Sequence, residues 1–536
     1  MIANETYASD RGLSGSPSPQ WMLAVTLFAL LGLHAWKWLQ HSDPKGPPGP
    51  FPWPLIGNAA QIGQVPHLSF CRMAEKYGSV FRLKLGSHTV VVLNGEESIR
   101  QALVRQGADF SGRPDFSSFA VVSGGRSLAF RSHGDLWRLH RKVAHSTVRA
   151  FSTSNLETKK VFEQHVVCEM QQLISVFMDR GPLGHYFDPW PNLVVAVANV
   201  MSAVCFGKRY SHDDQEFTSL LAKNDRFGQT VGAGSLVDII PWLQYFPNPV
   251  RSIYQDFEQL NRDFYLFVQD KARQHRLDFR PGRVRDMMDA FIHTIEHGRV
   301  ASDTGLILSP DYADSTVTDI FGASQDTLST ALHWITLYLV WQPQVQAKIH
   351  EELDRVVGRQ RIPSIEDQPR MPYLMAFLYE TLRFSSFVSL TIPHATTRPT
   401  LLSGYRIDKG TVVFINQWSV NHDPHKWHQP EVFDPCRFLT EAGTFNKDLA
   451  SQVMIFSLGR RRCIGDELAK MQLFLSTSLL MHQCTFRANP KEELTLDFTY
   501  GLSLKPKPFT IGVTLRDTME PLNEAVRRIQ QADNNQ

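Results

Sequence analysis

Apolar positions repeat most regularly between Asp311 and Trp341, where they predict one long helix. Pro310 suits the first turn of this helix, and Pro343 follows its end. Apolar residues recur at spacings of three and four, which places them on one helix face: Val317, Ile320, Phe321, Leu328, Ala331, Leu332, Ile335 and Leu339. An acid and a hydroxyl, Asp326 and Thr327, stand within this pattern, and such groups destabilise a buried helix unless they are paired or used.

A second apolar stretch lies near the start of the chain, from Trp21 to Leu39. It is just long enough to cross a bilayer at about 1.5 Å per residue. Trp36, Lys37 and Trp38 stand where a cleaved signal peptide would have small residues, and they suit a membrane interface. We therefore expect a retained transmembrane anchor, with the body of the protein on the cytoplasmic side because Lys37 lies near the end of the apolar stretch and Lys45 follows it.

Prolines are concentrated between Pro44 and Pro54, directly after the apolar stretch. They predict a stiff spacer, because proline fixes φ and disfavours helix in the residue before it. After residue 55 the composition stays even, without repeats or low-complexity linkers. The predicted organisation therefore has five parts: a short lumenal tail at 1–20, the anchor at 21–39, a proline-rich hinge at 40–54, one large domain at 55–517 and a polar tail at 518–536.

Composition and charge narrow the class of protein. The 536 residues are 43% hydrophobic and 20% charged, as in an ordinary globular chain that buries a sizeable core. A formal net charge of +2 gives no reason to expect nucleic-acid binding. The six cysteines form no C-x-x-C pair, which indicates a reducing compartment and argues against a disulfide framework or a zinc site. They are Cys71, Cys168, Cys205, Cys436, Cys463 and Cys484.

The strongest candidate for chemistry is the run from Phe456 to Gly465. In it, Cys463 follows three arginines and precedes an apolar helical stretch, Leu468 to Leu480. Backbone N–H groups at a helix N-terminus and nearby guanidinium groups lower a cysteine pKa, so we expect the thiolate form. The glycines of the run let the backbone approach a flat cofactor. The alternative is a turn before a helix, with a buried structural cysteine.

This run resembles the haem-binding loop of the cytochrome P450 family. The fixed positions of that loop are filled here by Phe456, Gly459, Arg461, Cys463 and Gly465. The resemblance implies the mainly α fold of the family, with small β-sheets and a single large haem domain behind the N-terminal anchor helix. It also implies haem b as the cofactor, with the Cys463 thiolate as the axial iron ligand, which favours splitting of the oxygen–oxygen bond.

The segment from Gly322 to Thr327 resembles the oxygen-activating part of the family's long central helix. Ser324 departs from the usual second glycine and Leu328 from a usual hydroxyl, while the acid and the threonine are intact. The resemblance implies that Asp326 and Thr327 steer protons to the bound oxygen, a general-acid role. The structural alternative is that Thr327 bonds back to a helix carbonyl and that Asp326 pairs with a base.

An E-x-x-R pair lies before the cysteine run. Glu380 and Arg383 lie three residues apart and therefore on one helix face. Alone, such a pair is a common surface ion pair. Together with Arg437, in the order and spacing seen here, it resembles the buried charged network behind the haem in the family, so we expect a structural role.

Four further residues resemble those that meet the haem propionates in the family. Trp137 and Arg141 stand four residues apart, Arg461 lies in the cysteine run, and His394 follows Pro393. The alternatives are a solvated basic helix for Arg141 and a satisfied loop histidine for His394.

Long stretches of the chain resemble family 1 of the vertebrate P450 enzymes, particularly subfamilies B and C. They are Pro54 to Ala60, Val231 to Asp238 and Phe321 to Leu332. The resemblance implies planar lipophilic substrates: polycyclic aromatic hydrocarbons, oestrogens and other steroids, with retinoids and fatty acids as further candidates. Phenylalanines facing small residues would shape a thin apolar slot, although plain core packing is the alternative for each. The matching pocket positions are Ala129, Phe130, Asn224, Phe227, Phe264, Gly322, Ala323, Val388 and Leu502.

Electrons must come from outside the chain. The nearest match to a dinucleotide-binding fingerprint, Gly232 to Val237, lacks its third glycine and the preceding strand. The resemblance implies NADPH as the electron source through a separate NADPH–cytochrome P450 reductase, with cytochrome b5 as a second donor. Five basic residues are candidates for the docking surface, ordinary surface charge being the alternative. They are Arg138, Lys142, Arg460, Arg462 and Lys470.

The same resemblance implies the endoplasmic reticulum membrane as the location, with the mitochondrial fraction as the alternative. Two other activities stay open at this point. One is a haem-thiolate isomerase or dehydratase that acts on lipid peroxides without external electrons, and the other is a haem sensor or carrier without turnover. The intact Asp326–Thr327 pair favours a monooxygenase over both.

Overall fold

The computed structural model describes residues 45–154, 156–181, 185–230, 236–297 and 305–534, together with single positions 20, 23, 26 and 32. Apart from those single positions, the expected lumenal tail, the anchor and the first five residues of the hinge, 40–44, lie outside the described residues. Within the described part of the chain, no helix is long and apolar enough to cross a membrane.

Helices dominate the described residues, and the expectation of a mainly α fold with small β-sheets is confirmed for this part of the chain. Those before residue 300 are α1 (Ala59–Ile62), α2 (Pro66–Tyr77), α3 (Glu96–Arg100), α4 (Ser117–Val121), α5 (Asp135–Arg149), α6 (Leu156–Arg180), α7 (Trp190–Phe206), α8 (Gln215–Thr230), α9 (Leu236–Ile239), α10 (Pro249–Asp278) and α11 (Met287–Ile292). Those after it are α12 (Asp311–Trp341), α13 (Pro343–Val356), α14 (Pro372–Ser385), α15 (Trp418–Asn421), α16 (Lys447–Ala450), α17 (Asp466–Gln483) and α18 (Glu520–Asn534). Short 3-10 or π-helical turns lie at 101–105, 122–125, 150–154, 241–244, 293–297, 365–370, 435–438 and 459–461.

The strands form one four-stranded sheet and three two-stranded ribbons among the described residues. The sheet has the order β1-β2-β6-β3, in which β2 and β6 are parallel and the other neighbours antiparallel. The ribbons are β4-β5, β8-β9 and β10-β7, all antiparallel. The strands are β1 (Val80–Leu85), β2 (His88–Leu93), β3 (His394–Ala395), β4 (Thr400–Leu402), β5 (Tyr405–Ile407), β6 (Val412–Ile415), β7 (Cys484–Ala488), β8 (Phe498–Thr499), β9 (Lys505–Pro506) and β10 (Ile511–Leu515).

The long central helix α12 has the bounds that its apolar pattern predicts, Asp311–Trp341. It ends before Pro343, which opens α13 and which cannot continue a helix because its nitrogen carries no hydrogen. α12 packs against α7, α10, α14 and α17. Because α7 is apolar on all sides and buried throughout its middle, the two helices form the centre of the main core.

The last described segment forms helix α18, which packs against α6. Its Leu522 is fully buried in the main core, and Val526 is buried beside it. Gln171 of α6 donates a hydrogen bond of 3.2 Å to the side-chain oxygen of Asn523. The part predicted from composition as a polar tail therefore contributes apolar side chains to the core.

Candidate active site

The loop that carries Cys463 is held by backbone contacts on both sides. The Cys463 N–H donates to the Phe456 carbonyl at 2.9 Å, and the Gly465 N–H, at the start of α17, donates to the Cys463 sulfur. Gly459 has a φ of +69°, and a Cβ added there would lie 1.9 Å from the Leu103 carbonyl oxygen. A glycine is therefore required at 459 because of its positive φ and because the backbone of the 101–105 turn lies against it. From the sequence we had expected the glycines of this run to allow close approach to a cofactor instead.

The electrostatics of Cys463 differ from the expectation that every neighbour favours the thiolate. Burial raises the pKa of this thiol above its ordinary value, Asp466 adds to that effect, and the Gly465 N–H with Arg141 and Arg462 opposes it without reversing it. The residue is nevertheless accessible to solvent, although protein surrounds its thiol closely. The protein alone thus favours the protonated thiol, and a bound metal ion would hold the thiolate.

A group of aromatic and cationic side chains lies beside the cysteine loop. The Arg461 guanidinium stacks over the Trp137 ring at 3.8 Å and donates to the Ser111 carbonyl at 2.9 Å. Arg141 donates to the Arg462 carbonyl next to Cys463. The structure thus brings Trp137, Arg141 and Arg461 together, as the resemblance implies.

His394 and a residue that the sequence did not indicate, Arg113, complete this group. His394 lies at the edge strand β3, fully buried, with its Nδ1 2.7 Å from the Phe110 carbonyl oxygen. Arg113 donates to the Ala129 carbonyl at 2.7 Å and to the Pro393 carbonyl at 3.1 Å. In the sequence Arg113 is only an arginine between a glycine and a proline, without a motif that would have selected it.

In this basic cluster, formed by Arg113, Arg141, Arg461 and His394, the positive charges belong to the three arginines and are not compensated by the protein. Burial, together with the neighbouring cations, lowers the pKa of Arg461 to about 7 and that of Arg113 to about 9. The same causes lower the pKa of His394 well below its usual value. Among the described residues, no carboxylate forms an ion pair with any of the four. Buried cations without an acid call for an anionic ligand, and a haem with its two propionates fits this requirement.

On α12, one face stays accessible in an otherwise buried helix. Between residues 312 and 340, Ala323 is exposed and five further positions are partly accessible: Asp319, Ile320, Gly322, Ser324 and Thr327. Asp319, Ala323 and Thr327 follow one another at intervals of four, so they lie along one line of the helix. This line forms an accessible strip on the helix that carries the oxygen-activating segment.

Both contacts expected from a purely structural role are present at Asp326 and Thr327. Asp326 lies 2.8 Å from the Lys505 ammonium and accepts from the Ser503 hydroxyl at 2.8 Å. The Thr327 hydroxyl donates to the Ala323 carbonyl at 2.8 Å, one turn before it. Lys505 also pairs with Asp225. The sequence offered no sign of Lys505 as the base, because it lies far along the chain on β9.

Three of the expected pocket residues meet at the accessible face of α12. Asn224 donates to the Gly322 carbonyl at 3.3 Å, and a Cβ added to Gly322 would lie 3.3 Å from the Phe264 ring. Phe264 in turn stacks on Phe321 with ring centres 5.7 Å apart. Ala323, the most exposed residue of α12 between 312 and 340, follows directly. Gly322 therefore leaves just enough room for the Phe264 ring.

The other pocket positions lie on loops. Ala129 and Phe130 precede α5, and the Phe130 ring packs edge to face on Phe119 at 4.8 Å. Val388 and Leu502 are partly buried, and their segments are joined by the hydrogen bond from the Leu504 N–H to the Phe387 carbonyl at 2.7 Å. The remaining position, Phe227, lies in α8 but outside the residues whose side chains the structure describes.

Two members of the charged network, Glu380 and Arg383 of α14, are fully buried and fully bonded. Arg383 donates to both carboxylate oxygens of Glu380, at 2.6 and 2.8 Å, and both side chains have 0% exposure. Arg437 contacts the same carboxylate at 3.2 Å. The remaining N–H groups of Arg383 donate to the carbonyls of Asn421, Pro430 and Val432. The structure thus brings the three predicted residues together and leaves no guanidinium donor of Arg383 unsatisfied.

The five basic residues considered for docking differ in their pairing. Arg138, Arg462 and Lys470 form ion pairs with Asp135, Asp466 and Glu467. Lys142 and Arg460 are exposed, and within the described residues neither forms an ion pair. Part of the positive charge of this surface is therefore neutralised in place.

Comparison with known proteins agrees with this geometry. The family model described as Cytochrome P450 matches residues 47–513. Cytochrome P450 1B1 of Homo sapiens is 55% identical over 97% of this chain and 99% of its own length, and the protein of the same name from Mus musculus is 54% identical over 99% of both chains. Cytochrome P450 1A1 of Rattus norvegicus is 43% identical over 90% of this chain and 93% of its own length.

Proposed function

We propose, from the premise that this chain belongs to the cytochrome P450 family and within it to family 1, that it oxidises planar lipophilic molecules with electrons supplied by NADPH. As a P450, the protein is a haem-dependent monooxygenase that works with a redox partner on small molecules. The proposed substrates are polycyclic aromatic hydrocarbons, oestrogens and other steroids, with retinoids and fatty acids as further candidates. The observation that carries the proposal is the basic cluster beside Cys463, whose buried cations pair with no described carboxylate.

Each residue of the cluster has a proposed task toward haem b. Cys463 provides the sulfur ligand to iron. Arg113, Arg141 and Arg461 hold the propionates by charge and hydrogen bonds, and His394 adds a hydrogen bond. When bound through a thiolate, the haem supplies oxygen activation, inserting one atom of O2 into the substrate and releasing the other as water. Trp137 fixes the Arg461 guanidinium by stacking, so the cation is oriented before the cofactor arrives.

Thr327 and Asp326 are proposed to move protons at the accessible face of α12. The Thr327 hydroxyl donates its hydrogen to the Ala323 carbonyl, and its lone pairs remain able to accept a hydrogen bond from water. Asp326, bonded to Lys505 and Ser503, is the acid behind it. Water entering from the side of Lys505 would resupply the proton that this pair passes on.

Replacing Thr327 by alanine is expected to separate NADPH consumption from product formation. The amount of product per NADPH consumed should fall on the order of tenfold, and the amount of hydrogen peroxide should rise correspondingly. This loss is smaller than the roughly 10²-fold minimum typical of general-acid catalysis, because Asp326 remains in place. The measurement is the ratio of product, peroxide and NADPH in one assay. Thr336→Ala is the matched control, since Thr336 makes the same 2.8 Å bond to the carbonyl four residues before it on the same helix. Equal ratios in the two variants would contradict the proposed role.

The electron donor is proposed to be NADPH–cytochrome P450 reductase, with cytochrome b5 as a second donor. The exposed Lys142 and Arg460 are the best candidates for its docking surface, since charges at the rim of an interface chiefly set the association rate. The enzyme is proposed to reside at the endoplasmic reticulum membrane, anchored through residues 21–39, with the mitochondrial fraction as the alternative location.

Reconstitution with this reductase, NADPH and a substrate panel tests the proposal. We expect oxidised products from planar hydrocarbons and oestrogens, and slower turnover of retinoids and fatty acids. Discrimination between close analogues should be modest, because one methylene in an apolar pocket changes binding by about 1–3 kcal/mol. Absence of product from every planar substrate, with haem bound and reductase active, would overturn the proposed substrate class.

A further inference from the structure

A tight turn runs across the accessible face of α12 and leads into the pocket residues Ala129 and Phe130. It begins with three consecutive residues in the left-handed region, Ser123, Gly124 and Gly125, with φ of +52°, +61° and +76°. A Cβ added to Gly124 would lie 2.8 Å from the Tyr265 ring of α10. The turn, defined here as residues 122–131, is therefore fixed at its start by backbone geometry and by the helix behind it.

The Asp319 side chain of α12 accepts hydrogen bonds from several donors of this turn. Its carboxylate accepts from the Ser123 hydroxyl at 2.5 Å, the Leu128 N–H at 2.5 Å and the Ser127 hydroxyl at 3.0 Å, and the Ala129 N–H donates to it as well. The Ser127 oxygen in turn accepts from the Phe130 N–H at 3.2 Å. One carboxylate thus holds the backbone of the segment that presents Ala129 and Phe130.

The same peptides are held from the opposite side by the basic cluster. The Leu128 carbonyl accepts from Trp137 Nε1 at 2.9 Å and from Arg461 at 3.2 Å. The Ala129 carbonyl accepts from Arg113 at 2.7 Å. The peptides of Leu128 and Ala129 therefore connect an acid of the pocket wall to cations that we assign to the haem propionates.

The Asp319 carboxylate is not stabilised by an ion pair with a described residue. Burial raises the pKa of its carboxyl to about 6, and hydrogen bonds from the turn oppose this without cancelling it. No described cation pairs with it. At neutral pH the carboxylate is therefore ionised where burial favours the neutral acid, a condition that points to a functional constraint.

We propose that Asp319 is the positioning residue that fixes residues 128–130 as a rigid pocket wall and thereby selects planar substrates. A rigid wall excludes bulky ligands and lets flat ones bind without ordering a loop, because preorganisation removes that entropy loss from binding. The inference rests on the proposed function, since it takes the space beside the accessible face of α12 and the turn as the substrate pocket. It adds a residue that the pocket pattern of the sequence did not contain.

Asp319→Asn in the full-length holoenzyme tests the inference without turnover. The variant keeps the size of the side chain but loses the charge and one acceptor oxygen. We expect amide hydrogen exchange within 123–130 to accelerate on the order of tenfold, and the Kd of pyrene, read from the substrate-induced shift of the ferric haem spectrum, to rise about tenfold. The Kd of adamantane, a compact cage that cannot lie flat, should change by less than about twofold, so the preference for pyrene is lost.

Asp311→Asn is the matched control. Asp311 lies two turns earlier on α12 and pairs with Arg126 of the same turn at 3.1 Å, but this pair is exposed to solvent. It should leave amide exchange and both Kd values within about twofold of the unchanged protein. Ser127→Ala removes one hydrogen-bond donor to Asp319 and should also weaken the preference for pyrene over adamantane. This second variant tests the inference if Asp319→Asn does not fold.

Three outcomes overturn the inference. They are unchanged amide exchange in Asp319→Asn, an equal loss of affinity for pyrene and adamantane, or an unchanged preference in Ser127→Ala. Failure of the proposed function has a different signature. In that case the unsubstituted protein itself would bind no haem or show no spectral shift with pyrene, while amide exchange would still report on the turn.

Discussion

Cys463→Ser is expected to abolish the red-shifted Soret band that a thiolate ligand gives to the reduced carbon monoxide complex, together with all turnover. A serine hydroxyl keeps the size of the side chain and can accept from the Gly465 N–H, so the loop should fold. Its pKa lies far above that of a thiol, however, and a neutral hydroxyl donates too little electron density to iron to replace the thiolate. The measurement is the carbon monoxide difference spectrum of the purified, dithionite-reduced protein.

Cys436→Ser provides the matched control for this experiment. Cys436 is the other exposed cysteine among the described residues, and both its backbone N–H and its thiol bond to Asp434. We expect an unchanged spectrum and unchanged turnover. A normal Soret band in Cys463→Ser, or its loss in Cys436→Ser, would show that the iron ligand has been wrongly assigned.

Arg383→Ala should prevent the accumulation of haem-loaded protein. The substitution leaves the Glu380 carboxylate buried with only the 3.2 Å contact to Arg437 as a charged partner. It also removes the donor of the Asn421 and Pro430 carbonyls, while the Val432 carbonyl still accepts from Arg437. Breaking a buried charged pair in this way costs about 3–5 kcal/mol, a large part of the roughly 5–15 kcal/mol by which domains are stable. Haem content per polypeptide and the thermal unfolding midpoint report the effect.

Two further variants separate burial from charge at this site. Arg273→Ala removes an arginine with the same three-residue spacing to its acid, Asp270, but both side chains are exposed, so the expected change is at most about 1 kcal/mol. Arg383→Lys keeps the charge yet cannot reach Glu380 and the carbonyls at once, because an ammonium lacks the guanidinium fork. We expect it to bind little haem. Normal haem content in both Arg383 variants would show that haem binding does not depend on this network.

The local parts of the site were predictable from the sequence. The bounds of α12 followed from apolar spacing and two prolines, and the loop around Cys463 was recognised from five fixed positions. The pairing of Glu380 with Arg383 followed from their spacing on one helix. In each of these cases the information lies within a few residues of the chain, so the sequence contains it directly.

The parts that the sequence did not indicate depend on contacts between distant segments. Arg113 joins the basic cluster only because β3 and the cysteine loop pack beside it. Lys505 reaches Asp326 from a strand far along the chain. The pKa direction at Cys463 was wrong for the same reason, because burial, which dominates it, is a property of the whole fold. Asp319 shows no motif, although it governs a turn that carries two of the expected pocket residues.

Helix α18 shows that the folded unit extends beyond the residues that the family model matches. The family match ends at residue 513, whereas Leu522 and Val526 belong to the main core. Burying one such side chain contributes about 1.5–3 kcal/mol. A domain boundary drawn at the end of the match would uncover an apolar groove along α6. Shortened forms designed for expression or crystallisation should therefore retain the segment through α18.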